Sequence, residues 1–482
     1  MEGTSMTTDE LRAAAGELVR LHERFAPFFG RRETQAHSLV YLNGLLLSQD
    51  RKSAEPMALV FGKPDDEDGI GQNQVLGLQR FLTHSRWDFQ DIQREIQSVF
   101  AEEFVPSTAT WSIGTVGVID GSGFAKKGTE SVGVKRQYCG RLGKTENCQV
   151  GVFLTGVTPM GTALLDCQLY LPKEWASGRE RRKKVRVPNE IRFRTQPQIA
   201  AELLQRTQKT GVVRFDWVVA DEAFGSNGSL LDTLEERQQK YLLEIPANTT
   251  VWTLDPAAAV PVAHGIGRPP TRPRRDAVHS VKVVAEGLPA AAWHAFQVRE
   301  GACGPLVFEF AAVRVWAVRH RKPGPPIWLM IRRSLGADAE IKYYVSNAAA
   351  DTRLETLALV SGCRFRVEEF FEEGKSYLGM AQYEARAWSS WHHHMSLIAL
   401  AHLFVTLTRE RLKKSPAPDA GHGPALTEER LAAIAVYHRR RYQHHGVPSG
   451  SQQDRATVAH ETLEKATQTD DLQTAAVELA AR

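Results

Sequence analysis

The chain has 482 residues, enough for about two to four domains with a true hydrophobic core. Apolar residues make up 42% and charged residues 24% of it, which excludes a disordered or fibrous chain. No run approaches the roughly 18 uninterrupted apolar residues of a membrane span, and a net charge of +4 is too small to specify a partner. Met1 to Arg20 carries Glu2, Asp9, Glu10 and Glu17 without an apolar block of signal-peptide length, so a cytoplasmic protein is expected. The five cysteines, Cys139, Cys148, Cys167, Cys303 and Cys363, are scattered without a C-x-x-C pair, a pattern of reduced thiols rather than of disulfides or a zinc ribbon.

The first hundred residues read as helices. Apolar residues recur at three- and four-residue spacing over Leu11 to Phe28, Ala36 to Leu47, Val75 to Leu82 and Phe89 to Phe104, with joints such as Gly62-Lys63-Pro64-Asp65-Asp66 between them. A helical domain over 1–108 is expected. It would expose Arg31, Arg32, Arg51, Lys52, Arg80 and Arg86 for phosphate contacts, although no helix-turn-helix signature is present and a plain bundle accounts for the pattern equally well.

From Trp111 the pattern changes to short apolar runs. Strands are expected at Ile113 to Ile119, Gln149 to Gly156 and Ala163 to Tyr170, then a helix at Gln196 to Gln208, a strand at Phe215 to Ala220, a helix at Ser229 to Gln238 and a strand at Lys240 to Ile245. The order βββαβαβ predicts an α+β fold with a mixed sheet flanked by helices. A linker-like stretch rich in Pro, Ala, Gly and Arg, Pro256 to Arg275, leads into strand-like runs at Val278 to Val284, Ala291 to Val298, Val313 to Val318, Ile327 to Ile331 and Lys342 to Ser346, a β-rich insertion over 249–350. It divides the core into 109–248 and 351–412, the second part helical. A C-terminal helical tail over 413–482 follows, with its last helix at Glu428 to Arg441.

Two strands run into an aspartate, Val116-Gly-Val-Ile-Asp120 and Trp217-Val-Val-Ala-Asp221, and strand ends are where α/β sheets build sites. Each aspartate fits a turn cap as well as a cation ligand; the pair is the more specific signal. In the helix that begins near Arg364, Glu368 falls about 40° and Lys375 about 20° from Arg364 around the axis, with Glu368 beside the packed stripe of Val367, Phe371 and Leu378. An ordinary i,i+4 pair explains Arg364 and Glu368 on spacing alone. Between Gly178 and Arg194 there are eight basic residues against two acids, including Arg181, Arg182, Lys183 and Lys184, which fits either a polyanion contact or a solvated loop. His392-His393-His394 reads as a helix-surface or DNA-facing patch, since imidazoles suit zinc better than a hard cation.

The run Ile119-Asp120-Gly-Ser-Gly-Phe-Ala-Lys-Lys-Gly-Thr-Glu-Ser-Val-Gly-Val134, with Arg136-Gln-Tyr-Cys-Gly140, Gly143-Lys144 and Asn147-Cys-Gln149, resembles the first catalytic block of bacterial insertion-sequence DDE transposases. Leu169-Tyr-Leu-Pro-Lys-Glu-Trp175, Ala220-Asp-Glu-Ala-Phe-Gly225, Ile245-Pro-Ala-Asn248 and Val367-Glu-Glu-Phe-Phe371 with Lys375 follow in the family's order, from about Phe25 to Leu407. The resemblance implies an RNase H-like core interrupted by the β-rich insertion. It implies catalytic, metal-binding carboxylates at Asp120, Asp221 and Glu368, holding two Mg²⁺ or Mn²⁺ ions, and places Arg364 and Lys375 in the signature helix beside the substrate phosphates. Ser361 stands where many relatives have tyrosine, and Gly121 where a second acid is often found. Lys126, Lys127, Lys135, Arg136 and Lys144 would extend the same DNA-binding surface, and Trp252 would stack on a displaced base unless it is a core residue. The implied activity is cleavage at the terminal inverted repeats and strand transfer into target DNA, by a homodimer in the synaptic complex. The alternative is a catalytically silent DNA-binding repressor or repurposed relative.

Overall fold

In the computed structural model, which describes residues 8–47, 50–61, 71–257, 277–301, 304–336 and 339–414, the runs after Trp111 form one mixed sheet of twelve strands among the described residues. These are β1 (Val116–Ala125), β2 (Lys135–Cys139), β3 (Lys144–Thr158), β4 (Gly161–Leu169), β5 (Trp217–Ala220), β6 (Tyr241–Ile245), β7 (Thr250–Trp252), β8 (Val278–Ser280), β9 (His294–Gly301), β10 (Gly304–Arg319), β11 (Lys322–Ser334) and β12 (Ile341–Ser346). β3 pairs antiparallel with β1 along one edge and with β2 and then β4 along the other. On the far side of β1, β5 and β6 run parallel to it. The path β4-β3-β1-β5-β6 is the RNase H-like arrangement: three antiparallel strands, then two parallel ones reached through helices.

Parallel strands are covered on both faces, and this sheet follows that rule: β1 is buried along nearly its whole length. Helix Gln196–Lys209 lies on one face. There Asp166 of β4, 1% exposed, takes both ends of the Arg206 guanidinium at 2.7 Å. Thr195 and Gln198 close a capping box at that helix's start. Phe153, which alternates to the opposite face of β3, packs on Phe371 at 5.2 Å and Trp391 at 6.0 Å.

The strands of the expected insertion continue the sheet. β12 pairs antiparallel with β6, and β11, β10, β7 and β8 follow outward, with β9 on β10. Val278–Val284 is not one strand: β8 stops at Ser280, whose hydroxyl accepts from the Val283 amide and starts helix Val281–Glu286. Strand β2 escaped the periodicity reading because Lys135 to Tyr138 is polar and largely exposed. The linker over 258–276, Cys303 and the last helix at Glu428 to Arg441 lie outside the described residues.

The chain divides into two compact units. The sheet and its helices make up 90–372 with 386–392; the described residues of 1–89, 373–385 and 393–482 make up the other. The second unit is helical, built on Thr8–Phe25, Arg32–Leu46, Ala54–Phe61, Gly71–Thr83 and most of Trp388–Lys414. Its core is aromatic, with Trp87 against Phe29 at 5.1 Å and Phe81 at 5.5 Å. Lys52 is buried there, not exposed, its ammonium donating to the Leu45 and Tyr377 carbonyls. Among the described residues no helix is long and apolar enough to cross a membrane.

The histidine triplet is a second correction. All three side chains are buried: His393 stacks on Trp87 at 3.8 Å with its ring nitrogens against the Leu82 and Trp87 carbonyls, to one of which a neutral ring donates, His394 meets the Tyr41 hydroxyl at 2.9 Å, and His392 the Trp388 carbonyl. A helix buried on every side offers no polar face, so these imidazoles find their hydrogen-bond partners within the fold.

Candidate active site

The site follows from strand register. Ile119 pairs with Ala220 across the parallel β1 and β5, and Ala220 with Leu243 across β5 and β6. The next residue in each strand is acidic, so Asp120, Asp221 and Glu244 form a row across three neighbouring strands. Asp221 serves also as the cap of the turn Glu222–Gly225, accepting from the Ala223 amide at 3.0 Å, which fixes its rotamer. A Cβ on Gly225 would collide with the Glu244 carbonyl oxygen, so the absence of a side chain lets this turn seat against β6. Asp120 Oδ1 accepts from the Gly121 amide at 2.6 Å.

Helix Arg364–Ser376 lays its first turns over the face that carries Asp120. Arg364 is the hub of the site. Nη2 donates to Glu368 Oε1 at 2.8 Å, Nη1 lies 3.5 Å from Asp120 Oδ2, and Nε lies 3.5 Å from Glu244 Oε2. Burial first, then the neighbouring charges of Asp221 and Glu368, push the Asp120 carboxyl up to about 7, against the pull of Arg364 and the Gly121 amide. Asp221 is raised as well, by burial first, with Glu244 adding and Arg364 opposing. Burial works against the Arg364 charge, yet Asp120, Glu368, Glu244 and Asp221 together raise its pKa. The site is acid-rich, with one arginine drawing its carboxylates together.

Glu368 is half exposed, at 48%, and borders the packed Val367. Glu369 is engaged elsewhere, by Arg299 and Arg366, while Glu372 and Glu384 are exposed. Lys375 is carried by the same helix two turns further on but belongs to the helical unit. Ser361 is buried, its hydroxyl donating to the Ala358 carbonyl at 2.7 Å.

The two basic groups read separately in the sequence meet in the structure. Arg179–Lys184 is a short helix rather than a loop. Arg181 lies 3.6 Å over the Trp175 ring and donates to the Thr129 carbonyl, and Lys184 pairs with Glu130, which ties the helix to the segment between β1 and β2. Lys183 is exposed, whereas Arg182 is half-buried and donates to the Ala176 and Pro188 carbonyls. Lys127 and Arg136 are exposed, Lys126 half-buried, Lys135 pairs with Glu174 and Lys144 with Glu146. Trp252 sits apart from all of these, 7% exposed and facing Trp316 across β7 and β10, the position of a core residue.

Sequence reasoning passed over Glu244 and Lys342, whose ammonium lies 2.7 Å from Glu244 Oε1. The signal was available. Glu244 is the lone charge in Tyr241-Leu-Leu-Glu-Ile245, a strand buried along its whole length, and a buried carboxylate there demands a partner.

The donors gathered here, carboxylate oxygens in a buried and negatively charged setting, match the hard-oxygen demand of Mg²⁺ or Mn²⁺. Glu244 Oε2 is buried without a hydrogen-bond donor, its nearest cation being Arg364 Nε at 3.5 Å. As the side chains stand, no three acidic, histidine or cysteine groups among the described residues converge on one point, Glu368 being turned onto Arg364. The residues fit the ions chemically, and Glu368 would have to swing toward Asp120 to share one.

A sheet of this order, with Asp120 inside β1 rather than at the strand end the sequence suggested, Asp221 just past the end of the neighbouring parallel β5, and a helix-borne glutamate nearby, has the RNase H-like arrangement. The chain belongs to the DDE superfamily endonucleases, whose family model matches residues 24–305, a span that includes Asp120 and Asp221 but not Glu368. It is 32% identical over 180 residues to a probable transposase for insertion sequence element IS701 from Microchaete diplosiphon, a match covering 37% of this chain and 43% of that relative. A piggyBac transposase synaptic complex with hairpin DNA, solved by cryo-electron microscopy, aligns over 93% of this chain and 82% of its own at 10% identity. Its TM-score of 0.38 is too low to carry an argument.

Proposed function

We propose that this chain is a DNA transposase that cuts the terminal inverted repeats of its own element and joins the freed 3′-hydroxyls to target DNA. The observation that carries this reading is the row of Asp120 and Asp221 on register-matched parallel strands, with Glu368 linked to Asp120 through Arg364. Asp120, Asp221 and Glu368 would hold two Mg²⁺ or Mn²⁺ ions, which when bound supply Lewis acidity to the attacking and leaving oxygens of a phosphodiester. The chain's own groups do the rest. Asp221, pinned by its cap to the Ala223 amide, offers a preorganised oxygen at the strand end. Arg364 would neutralise the carboxylates before substrate arrives and then meet the phosphate oxygens. The half-exposed Glu368 is the member of the set that would have to turn from Arg364 to reach an ion beside Asp120.

The basic helix Arg179–Lys184, the segment between β1 and β2, and β2 itself would carry flanking DNA through Arg181, Lys183, Lys184, Lys127 and Arg136. The helical unit would bind the element ends, the strands beyond β6 would act as an insertion beside the core, and two copies would assemble at synapsis. Such a protein works in the cytoplasm on nucleoid DNA.

The test is cleavage of duplexes bearing the inverted repeats that flank the gene. Nicking in Mg²⁺ or Mn²⁺, abolished by chelator and by Asp120→Asn, is expected, with Ca²⁺ supporting binding alone. Tight binding of the ends with no cleavage in either metal would favour the silent-repressor reading instead.

A further inference from the structure

Arg364 sits in a difficult place if its neighbours ever serve as metal ligands. Its side chain is only 20% exposed, and its partners Asp120 and Glu368 are the groups a cation would claim. Once they turn to a cation, the buried guanidinium needs another counter-ion, because an uncompensated buried charge is strongly destabilising. One carboxylate meets that need. Glu244, 5% exposed, holds Oε2 at 3.5 Å from Arg364 Nε, an ion-pair distance without a hydrogen bond, and this is the oxygen that lacks a donor. Its other oxygen is fixed by Lys342 at 2.7 Å. Lys342 comes from β12, where Tyr344 is the register partner of Glu244, so the contact is a diagonal cross-strand pair. Strand β6 therefore presents one oxygen anchored and one waiting.

We infer that Glu244 is a positioning residue that takes over Arg364 when Asp120 and Glu368 are given up to a divalent cation, with Lys342 setting the direction of its carboxylate. This rests on the metal-dependent reading of the site above. In that arrangement the arginine acts as an internal stand-in for the cation: it holds the acids together beforehand, and once the cation is bound Glu244 keeps it in the site until substrate phosphate oxygens meet it. Glu244 contributes more to the loaded site than to the empty one, because only in the loaded site is it the arginine's main partner.

The test is Mn²⁺ binding to the full-length protein without DNA, read from the electron paramagnetic resonance signal of free Mn²⁺, so that no turnover is involved. Glu244→Gln, which keeps size and hydrogen bonding, is expected to weaken Mn²⁺ binding about tenfold, roughly 1.4 kcal/mol. In an Arg364→Met background the same change is expected to shift binding by less than about threefold, since there is no guanidinium left to hold. Lys342→Met should give a smaller loss of the same kind in the Arg364 background. Equal weakening in both backgrounds would overturn the inference, because it would make Glu244 a direct ligand or a plain long-range charge; so would unchanged binding in Glu244→Gln. Thermal melts of each variant identify a loss of fold. A wild-type protein that binds no Mn²⁺ in an Asp120-dependent way would instead bring down the metal-dependent reading itself.

Discussion

Removing Arg206 leaves one of the few fully buried carboxylates of the sheet unit alone. Asp166 is 1% exposed and accepts two 2.7 Å hydrogen bonds from that guanidinium, which reaches it from the helix Gln196–Lys209 on the sheet's outer face. Breaking such a pair from one side destabilises by about 3–5 kcal/mol. Arg206 is 32% exposed and part of its attraction is already screened by water, so the lower end, about 3 kcal/mol, is expected for Arg206→Met. The pH dependence has a definite sign. Burial pushes the Asp166 pKa up while Arg206 and, more weakly, the Cys167 amide pull it back; without Arg206 the push is opposed by that amide alone. A carboxyl raised in the native state holds its proton more tightly folded than unfolded, so the variant's deficit is smallest below the unfolded pKa, near pH 4, and grows as pH rises from there through the folded pKa. Urea unfolding followed by tryptophan fluorescence at several pH values measures this directly. Adding Asp166→Leu to Arg206→Met is expected to recover most of the loss, because an apolar pair needs no counter-charge. A single-variant loss below about 1 kcal/mol, or a double variant no better than the single, would refute the reasoning.

Glu368→Gln is expected to abolish cleavage with folding and end binding retained, whereas Glu384→Gln should leave the rate within about tenfold; the reverse pattern in a nicking assay would move the catalytic helix later in the chain. Alanine at Arg181, Arg182, Lys183 and Lys184 should weaken DNA binding for all sequences alike and flatten its salt dependence, and an unchanged slope would return these residues to a structural role on Trp175 and Glu130. His393 is held neutral, its pKa lowered to about 4 by burial against the pull of two carbonyls. Its native pKa lies below the unfolded one, so stability is full above about pH 6.5 and drains away as pH falls toward 4, by about 3 kcal/mol; melting curves of His393→Gln that keep the wild-type pH profile would exclude this origin.

What could be read from the residues alone was whatever local pattern determines. The apolar runs around Val116, Val152 and Val218 announced strands because both faces are buried. Asp120 and Asp221 stood out because a carboxylate ends an apolar run. Glu244 did not, since its meaning depends on register with β5 and on a lysine that arrives with β12. The histidine triplet misled for a related reason: three polar residues in a helix read as a wet face until every side of that helix is seen to be packed. Val278–Val284 misled because β-branched residues favour strands on average, and one serine hydroxyl was enough to start a helix there.

The pairing of β6 with β12 also governs the order in which this protein can be made. Ile245 finds its register partner in Tyr343, about a hundred residues further along, so β6 leaves the ribosome long before the strand that covers its edge. Until then β6 presents an apolar, unpaired flank, the kind that invites pairing with another chain. The helix bearing Glu368 follows β12 only after that flank has closed. A nascent chain halted between β6 and β12 would hold both aspartates on a half-built sheet, with neither Arg364 nor Glu368 yet made, and so would lack half of the candidate site.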